Sequence, residues 1–487
     1  MLRILVKDSA IYAVGTVASR LVGFIMIPVY TRVLTPSDYG IIETIVRLVD
    51  IISLFLALGL AEALLRHYYL AKDEEDCRRL VGTVFTLNMG VMLIGSLLTL
   101  PASPYLTRLA FGHEKYTLYV TVSLVGMLVA NLIELPLTLW RAEGKAWRFT
   151  VVSLCKLVTH LTTNIILVVW LRWGVWGVVL SGLINAILWS TVLGVAVLRR
   201  YGLLFDRAWL KPVLQYGLPL VPAAISQFIL HFSDRFFLTR YATEAELGLY
   251  SLAYRFGMLV SVFYRVVSLA WGPWAFQVGG QADGDTHLSR ATSLILLGMA
   301  TVCAGIALLS APAIRLLSAP AFWRAADYVP LLAVAYWLFV AQGPLSVGAR
   351  LANRTDVLGV ANMVAAALCL LLSVWLIPYY KAWGAVWVTI LSMVALTGGS
   401  YLASVRARHI LTDWKSMVVA GLVIAVPLVY GHFGTAGKID LLWRVMLCCV
   451  IVGSVGAWIQ YQQIARFPIR TVLLRLSHLT GTGRGRS

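Results

Sequence analysis

Charge is scarce in this chain. Only 13% of its 487 residues are Asp, Glu, Lys or Arg, and the acids are the scarcer half, 22 against 40 basic residues. Soluble domains carry about a quarter charged residues, and a soluble chain of this length would divide into several of them. Long polar segments are lacking too, so no extramembrane catalytic domain is expected. The Walker loop, the HExxH zinc motif and the GxSxG nucleophile elbow are all missing, which argues against an enzyme and gives no cofactor to expect. Six cysteines (Cys77, Cys155, Cys303, Cys369, Cys448 and Cys449) show no CxxC or Cys/His ligand spacing. Most fall in apolar runs and read as small buried hydrophobes, not metal ligands. A cleavable leader is not expected either: Met1 to Asp8 is polar, and the apolar run that follows continues without an A-x-A-like site.

What fills the chain instead is apolar sequence, 60% of residues. It is arranged as fourteen runs of about 18–25 residues, each long enough to cross a bilayer as a helix. The reading is an all-α polytopic membrane protein. The thirteenth run, near residues 415–432, is the shortest and ends in the polar stretch Gly431 to Asp440. The formal charge of +18 does not imply nucleic acid, because no soluble basic domain holds it. The surplus lies in short loops, as the positive-inside rule requires. With a cytoplasmic N-terminus, roughly 24 basic residues fall on the cytoplasmic side and roughly 10 opposite. Dense patches include Lys72, Arg78 and Arg79, then Arg141, Lys145 and Arg148, then Arg199, Arg200, Arg207 and Lys211. The tail adds Arg466, Arg470, Arg475, Arg484 and Arg486. An even number of spans puts both termini in the cytoplasm.

The chain also echoes itself. Residues 31–41 read TRVLTPSDYGI and residues 239–249 read TRYATEAELGL. Thr31, Arg32, Thr35 and Gly40 align with Thr239, Arg240, Thr243 and Gly248 at one constant offset, each set between the first two apolar runs of its half. This is the mark of an internal repeat. The expected organisation is a six-helix bundle in residues 1–198, a cytoplasmic linker in 199–212, a second six-helix bundle in 213–404, two further helices in 405–463 and a basic tail in 464–487. Within the linker, Phe205 and Trp209 lie four apart among cations, a pattern that suits a short helix in the membrane interface as well as a solvated loop.

Ionisable residues inside the apolar runs are the candidates for function, because a cation near the bilayer centre costs roughly 2.5–3.5 kcal/mol on insertion scales. Arg20 lies on the first run with Thr16, Ser19 and Gly23. Glu43, Arg47 and Asp50 follow at i, i+4 and i+7 on the second and so share one helix face. Asp234 and Arg235 lie on the seventh, and Tyr250, Tyr254, Arg255, Ser261 and Arg265 on the eighth. Arg47 can pair with Glu43 or Asp50, and Arg235 with Asp234, or they can face a water-filled cavity; both readings are open. Arg20, Arg255 and Arg265 have no acid within one turn on their own face. Three such cations turned to lipid would cost on the order of 8–10 kcal/mol, comparable with a domain's whole stability. A hydrated cavity is expected to receive them, with Arg47 at its wall.

The run VGFIMIPVYTRVLTPSDYGIIE resembles the N-terminal signature of bacterial oligosaccharide flippases of the polysaccharide biosynthesis family. The run from Tyr216 to Gln277 resembles the start of their second half. The resemblance implies two six-helix bundles around a central cavity, here followed by two C-terminal helices, in the bacterial inner membrane. It implies a polyprenyl-pyrophosphate-linked oligosaccharide as cargo, moved from the cytoplasmic to the periplasmic leaflet by alternating access for cell-surface polysaccharide such as O-antigen. A glycan polymerase and chain-length machinery would be its partners. Arg20, Arg47, Arg255 and Arg265 match the cationic cavity role by helix and face; with such a cargo, Tyr254 is a candidate for stacking on a sugar ring, and Asp50 and Asp234 are the candidates for ion coupling. A drug/cation antiporter of the same superfamily is one alternative, and a membrane-embedded glycan polymerase or ligase is another. Reporter fusions at Lys72–Arg79, at Arg199–Lys211 and in the tail are expected to give cytoplasmic signals; a periplasmic signal from any of them breaks the fourteen-span topology.

Overall fold

The computed structural model describes residues 24, 26–410, 412–433 and 438–461. Thr16, Ser19, Arg20, Gly23 and the tail arginines lie outside the described residues. Every regular element among those described is helical. Among the described residues, ten helices are long and apolar enough to cross a membrane, or eleven when one pair bent by 41° counts as a single span. The 53-residue helix Thr355–Ala407 is interrupted at Lys381, where φ is 49° and ψ −125°, and each arm is itself long enough to span. Trp414–Phe433 contains only a short apolar stretch, in keeping with the weak thirteenth run. Lipid-facing surface is evident from burial: in the span Leu441–Gln460 only 17% of the apolar window is covered by protein.

The described residues fall into two compact units. The first lies within Leu5–Ser251 and adds Ser373–Ala385. It contains α1 (Ile27–Val33), α2 (Pro36–Ala57), α3 (Leu60–Tyr68), α4 (Glu74–Thr99), α5 (Ser103–Phe111), α6 (Thr117–Ala142), α7 (Ala146–Asn164), α8 (Gly174–Tyr201), α9 (Arg207–Gly217), α10 (Leu220–Tyr241) and the start of α11 (Glu244–Gly257). Helix α6 packs chiefly against α8. One core joins Ile41, Ile45 and Leu48 of α2 to Val120, Leu124 and Leu128 of α6 and Val175 and Val179 of α8. A second joins Leu60 and Leu64 of α3 to Leu80 and Phe85 of α4 and Val213 of α9. The six-helix partition is a statement about repeats; packing is cut elsewhere, and α10 is counted with the N-terminal helices.

The second unit lies within Leu252–Leu372 and Val386–Ser487. It contains α12 (Leu259–Val278), α13 (Gly284–Leu317), α14 (Val329–Leu345), α15 (Val347–Leu351), most of α16 (Thr355–Ala407), α17 (Trp414–Phe433) and α18 (Lys438–Tyr461). Helix α13 is its axis, packed by α12, α14, α17 and α18. Trp271, Ala275, Leu288, Val347 and Ile410 form one of its buried clusters. Arg444 of α18 is buried and donates to the Leu308 carbonyl at 2.8 Å. Of the six cysteines only Cys303 and Cys369 are buried; Cys155 and Cys449 are exposed, because in a membrane protein an apolar side chain gains as much from lipid as from a core.

The repeated residues do the same jobs in both copies. Thr31 and Thr239 each donate back one turn, to the Ile27 carbonyl at 2.8 Å and the Arg235 carbonyl at 2.7 Å. Thr35 and Thr243 each cap a helix: Asp38 N donates to Thr35 Oγ1 and Glu246 N to Thr243 Oγ1, both at 3.2 Å. In the first copy Thr35 N donates in return to Asp38 Oδ2 at 3.0 Å, completing a capping box. The glycines explain why the copies resemble each other. Gly40 lies against the Glu244 carbonyl and Gly248 against the Pro36 carbonyl, so close that a Cβ at either would overlap the opposite backbone. Pro36 and Glu244 are themselves equivalent positions of the repeat. The contact is therefore reciprocal, as two copies related by a local two-fold axis would make it. Gly40→Ala and Gly248→Ala are expected each to destabilise by about 1–3 kcal/mol. Gly90→Ala, at a position with open space around it, should be neutral or stabilise by up to about 1 kcal/mol. Thermal melts of the purified variants check this, and equal melts for Gly40→Ala and Gly90→Ala would contradict the reciprocal contact.

Candidate functional site: a buried ionic chain on α2 and α10

The polar residues of α2 lie on one face because 3.6-residue periodicity puts i, i+4 and i+7 in line. Helix α10 packs on α2. The result is a continuous chain of charge inside the first unit. Arg47 Nε donates to Glu43 Oε1 at 2.8 Å and Arg47 Nη1 to Asp50 Oδ2 at 2.7 Å. The same Glu43 Oε1 accepts from Arg235 Nε at 3.1 Å. Arg235 Nη1 then reaches Asp234 Oδ1 at 2.8 Å and the His231 carbonyl at 2.9 Å. Tyr250 of α11 closes the chain by donating its hydroxyl to Asp234 Oδ2. Phe232 lies between the two guanidiniums, with Arg47 Cζ 4.0 Å and Arg235 Cζ 5.1 Å from its ring centre, so the ring face offers both cations further attraction.

Burial is graded along this chain. The side chains of Arg235, Glu43 and Asp234 are 2%, 4% and 5% exposed, Arg47 is 17% and Asp50 is 44%. A carboxylate and a guanidinium each lose several kcal/mol on leaving water, and only close multiple bonding recovers this. Glu43 bridges both arginines and Arg235 bridges two acids, which meets that condition. Among the described residues, three carboxylates of this chain face two guanidiniums. Asp50 is its most exposed member.

The pairing reading of Arg47 and Arg235 is therefore the one the structure adopts. Asp234 is locked between Arg235 and Tyr250, and Asp50 is half open. Arg255 is half-buried and Arg265 exposed. Tyr254 is buried, its ring edge-on to Tyr336 at 5.3 Å. Trp271 is also buried, against Trp274 at 5.6 Å. The sequence did not announce the Glu43–Arg235 bridge or the Tyr250–Asp234 bond, because both join different helices. Nor did it announce a second polar clip: Glu244 accepts from Ser37 Oγ at 2.6 Å and from the Tyr116 hydroxyl at 2.8 Å. Burial and the Glu244 carboxylate push the Tyr116 phenol above its ordinary range, which keeps it protonated as the donor. Among the described residues, no group of three or more His, Cys, Asp or Glu could hold a metal ion.

Residues 29–275 match the family model described as "Polysaccharide biosynthesis protein". The chain belongs to this family. Its relatives include the Lsg locus protein 1 of Haemophilus influenzae, 22% identical over 56% of this chain and 66% of that protein. A succinoglycan biosynthesis transport protein, ExoT, of Rhizobium meliloti is 23% identical over 60% of this chain and 58% of that protein. The matches thus span under two thirds of both relatives. The fold is that of the lipid II flippase MurJ in an inward closed conformation, with a TM-score of 0.75 at 13% identity over 93% of this chain and 99% of that one. An inward-facing multidrug resistance MATE transporter matches with a TM-score of 0.57 at 16% identity over 83% of this chain and 95% of that chain. The family model covers both copies of the repeat and both helices of the ionic chain.

Arg235 is the most stringent position in this chain. Arg235→Ala leaves Glu43 and Asp234 short of a buried partner and is expected to cost about 3–5 kcal/mol. Arg47→Ala should cost less, since Glu43 keeps Arg235 and Asp50 reaches solvent. Melting temperatures of the two variants in the same detergent decide it; equal losses would contradict the burial gradient.

Proposed function

We propose that this protein is a flippase that carries a polyprenyl-pyrophosphate-linked oligosaccharide from the cytoplasmic to the periplasmic leaflet by alternating access. The observation that carries this reading is membership of the polysaccharide biosynthesis family, in a chain of transporter fold with many apolar helices. Arg20, Arg255 and Arg265 are proposed to meet the pyrophosphate in a hydrated transport cavity. Guanidinium forks suit phosphate because they offer charge and paired hydrogen bonds together. Both termini are proposed to lie in the cytoplasm of a bacterial inner-membrane protein.

The proposed driving force begins with the membrane potential. Carrying two negative charges outward, with the inside negative, gains roughly 4–5 kcal/mol per 100 mV when no protein charge moves with them. An arginine that travels with the cargo cancels part of this, and an ion gradient then contributes. Asp50 is the proposed coupling acid, because it is the most exposed carboxylate of the ionic chain. Asp234 is proposed to respond through Arg235. Three carboxylates inside the apolar helices, Glu43, Asp50 and Asp234, also support a second reading, a drug/cation antiporter, for which the MATE-like fold is a further support.

Two measurements separate these readings. Delivery of glycan to the periplasmic face should be lost in the combined Arg20→Ala/Arg255→Ala/Arg265→Ala variant at normal membrane levels, and Asp50→Asn should lose only the gradient-driven part. Normal delivery by the triple variant would overturn the cationic role. Export of organic cations without glycan delivery would establish the antiporter.

A further inference from the structure

Helix α9 has two faces in different surroundings. One is turned into protein: Val213 and Gly217 are buried, Trp209 Nε1 donates to Asp76 Oδ1 at 2.9 Å, and Tyr216 lies under Arg66 at 4.4 Å. The spacing of Phe205 and Trp209 left an interfacial helix and a solvated loop both open for this segment. Only Phe205 is exposed; Trp209 is committed to α4 and to the edge of His67. The other face carries Arg207, Leu210, Lys211, Leu214 and Leu218, which spacings of three and four align along one stripe. With Gln215 and Pro219 they line an open groove of about 610 Å³. Arg207 and Lys211 are exposed at its head, and among the described residues neither has an ion-pair partner.

We infer that this groove holds an anionic diacyl phospholipid. Its phosphate lies between Arg207 and Lys211, and one acyl chain runs along Leu210, Leu214 and Leu218. Charge complementarity places the head: two cations one turn apart begin a candidate span, Arg207–Tyr241, and so fall at headgroup depth. The first turns of a helix disfavour cations, so an anion there relieves a local electrostatic cost as well. Size assigns the tail: at roughly 30 Å³ for each water-sized group, the groove takes about twenty such groups, the bulk of one acyl chain and well short of a polyprenyl chain. A lipid seated here would brace α9 from the side opposite its packed face and hold the break at Leu218–Pro219 where α9 meets α10.

The test uses the full chain, purified in detergent and re-exposed to phosphatidylglycerol, phosphatidylcholine, a polyprenyl phosphate or glycerol 3-phosphate. Bound lipid is counted by native mass spectrometry and followed by melting temperature. The wild type should retain phosphatidylglycerol over phosphatidylcholine by about ten-fold or more, and Arg207→Gln/Lys211→Gln should abolish that preference. Leu214→Trp, which fills the groove and leaves both cations, should reduce retention of both phospholipids. Equal retention of phosphatidylglycerol by the double glutamine variant and wild type, with matching gel-filtration profiles, would overturn the inference. Glycerol 3-phosphate matching phosphatidylglycerol would reduce the site to a simple anion site, and polyprenyl phosphate displacing phosphatidylglycerol at equal concentration would assign the groove to cargo; either result overturns the phospholipid.

Discussion

The cost of taking charge out of water is the constraint on which this structure depends. An apolar chain that keeps Glu43, Arg47, Asp234 and Arg235 inside its helices must bring them together or hydrate them. It brings them together, and doing so fixes how α2 and α10 lie against each other. Arg235 is the hub because its guanidinium plane addresses two carboxylates and a backbone carbonyl at once. A lysine presents a single ammonium on a flexible stem and lacks that planar fork. Exposure rises from Arg235 toward Asp50, so one network has a structural end and an end open to exchange.

Close backbone approach is the second constraint, and it explains a repeat that sequence identity alone barely marks. Thr35 and Thr243 start two helices in the same way, and Gly40 and Gly248 let the start of each helix lie on the other. In lipid there is no hydrophobic drive between apolar helices, so such contacts rely on small residues and tight packing. Glu244 adds polar ties at the same junction, through Ser37 and Tyr116. Three of the four pairs kept in register, Thr31 with Thr239, Thr35 with Thr243 and Gly40 with Gly248, make equivalent contacts in the two copies.

Much of this was legible in advance. Apolar run length gave membrane spans, and the turn between Tyr241 and Glu244 fell where the polar residues stand. The i, i+4, i+7 spacing placed Glu43, Arg47 and Asp50 on one face. What stayed open was which way each charged group turned, because pairing with a neighbour and facing a cavity leave the same pattern on a helix wheel. Tyr254 illustrates the difficulty. It lies on the same stripe as Tyr250, yet one ring packs on Tyr336 and the other hydroxyl serves Asp234. The spacing of Phe205 and Trp209 suited an interfacial helix and a solvated loop equally, and neither pattern signals that Trp209 donates to Asp76.

The sequence by itself determined the solvent and the secondary structure: local apolarity and length leave a chain in lipid little choice but helices, since every backbone N–H must find its carbonyl within the segment. It also carried family membership and the register of the repeat. Tertiary structure alone decided that Glu43 would be shared by two arginines on different helices, that Gly40 would meet Glu244, and that one face of α9 would stay open. These depend on which helix lies beside which. Residues about two hundred positions apart are brought within a few ångströms by packing, and no local pattern encodes that proximity.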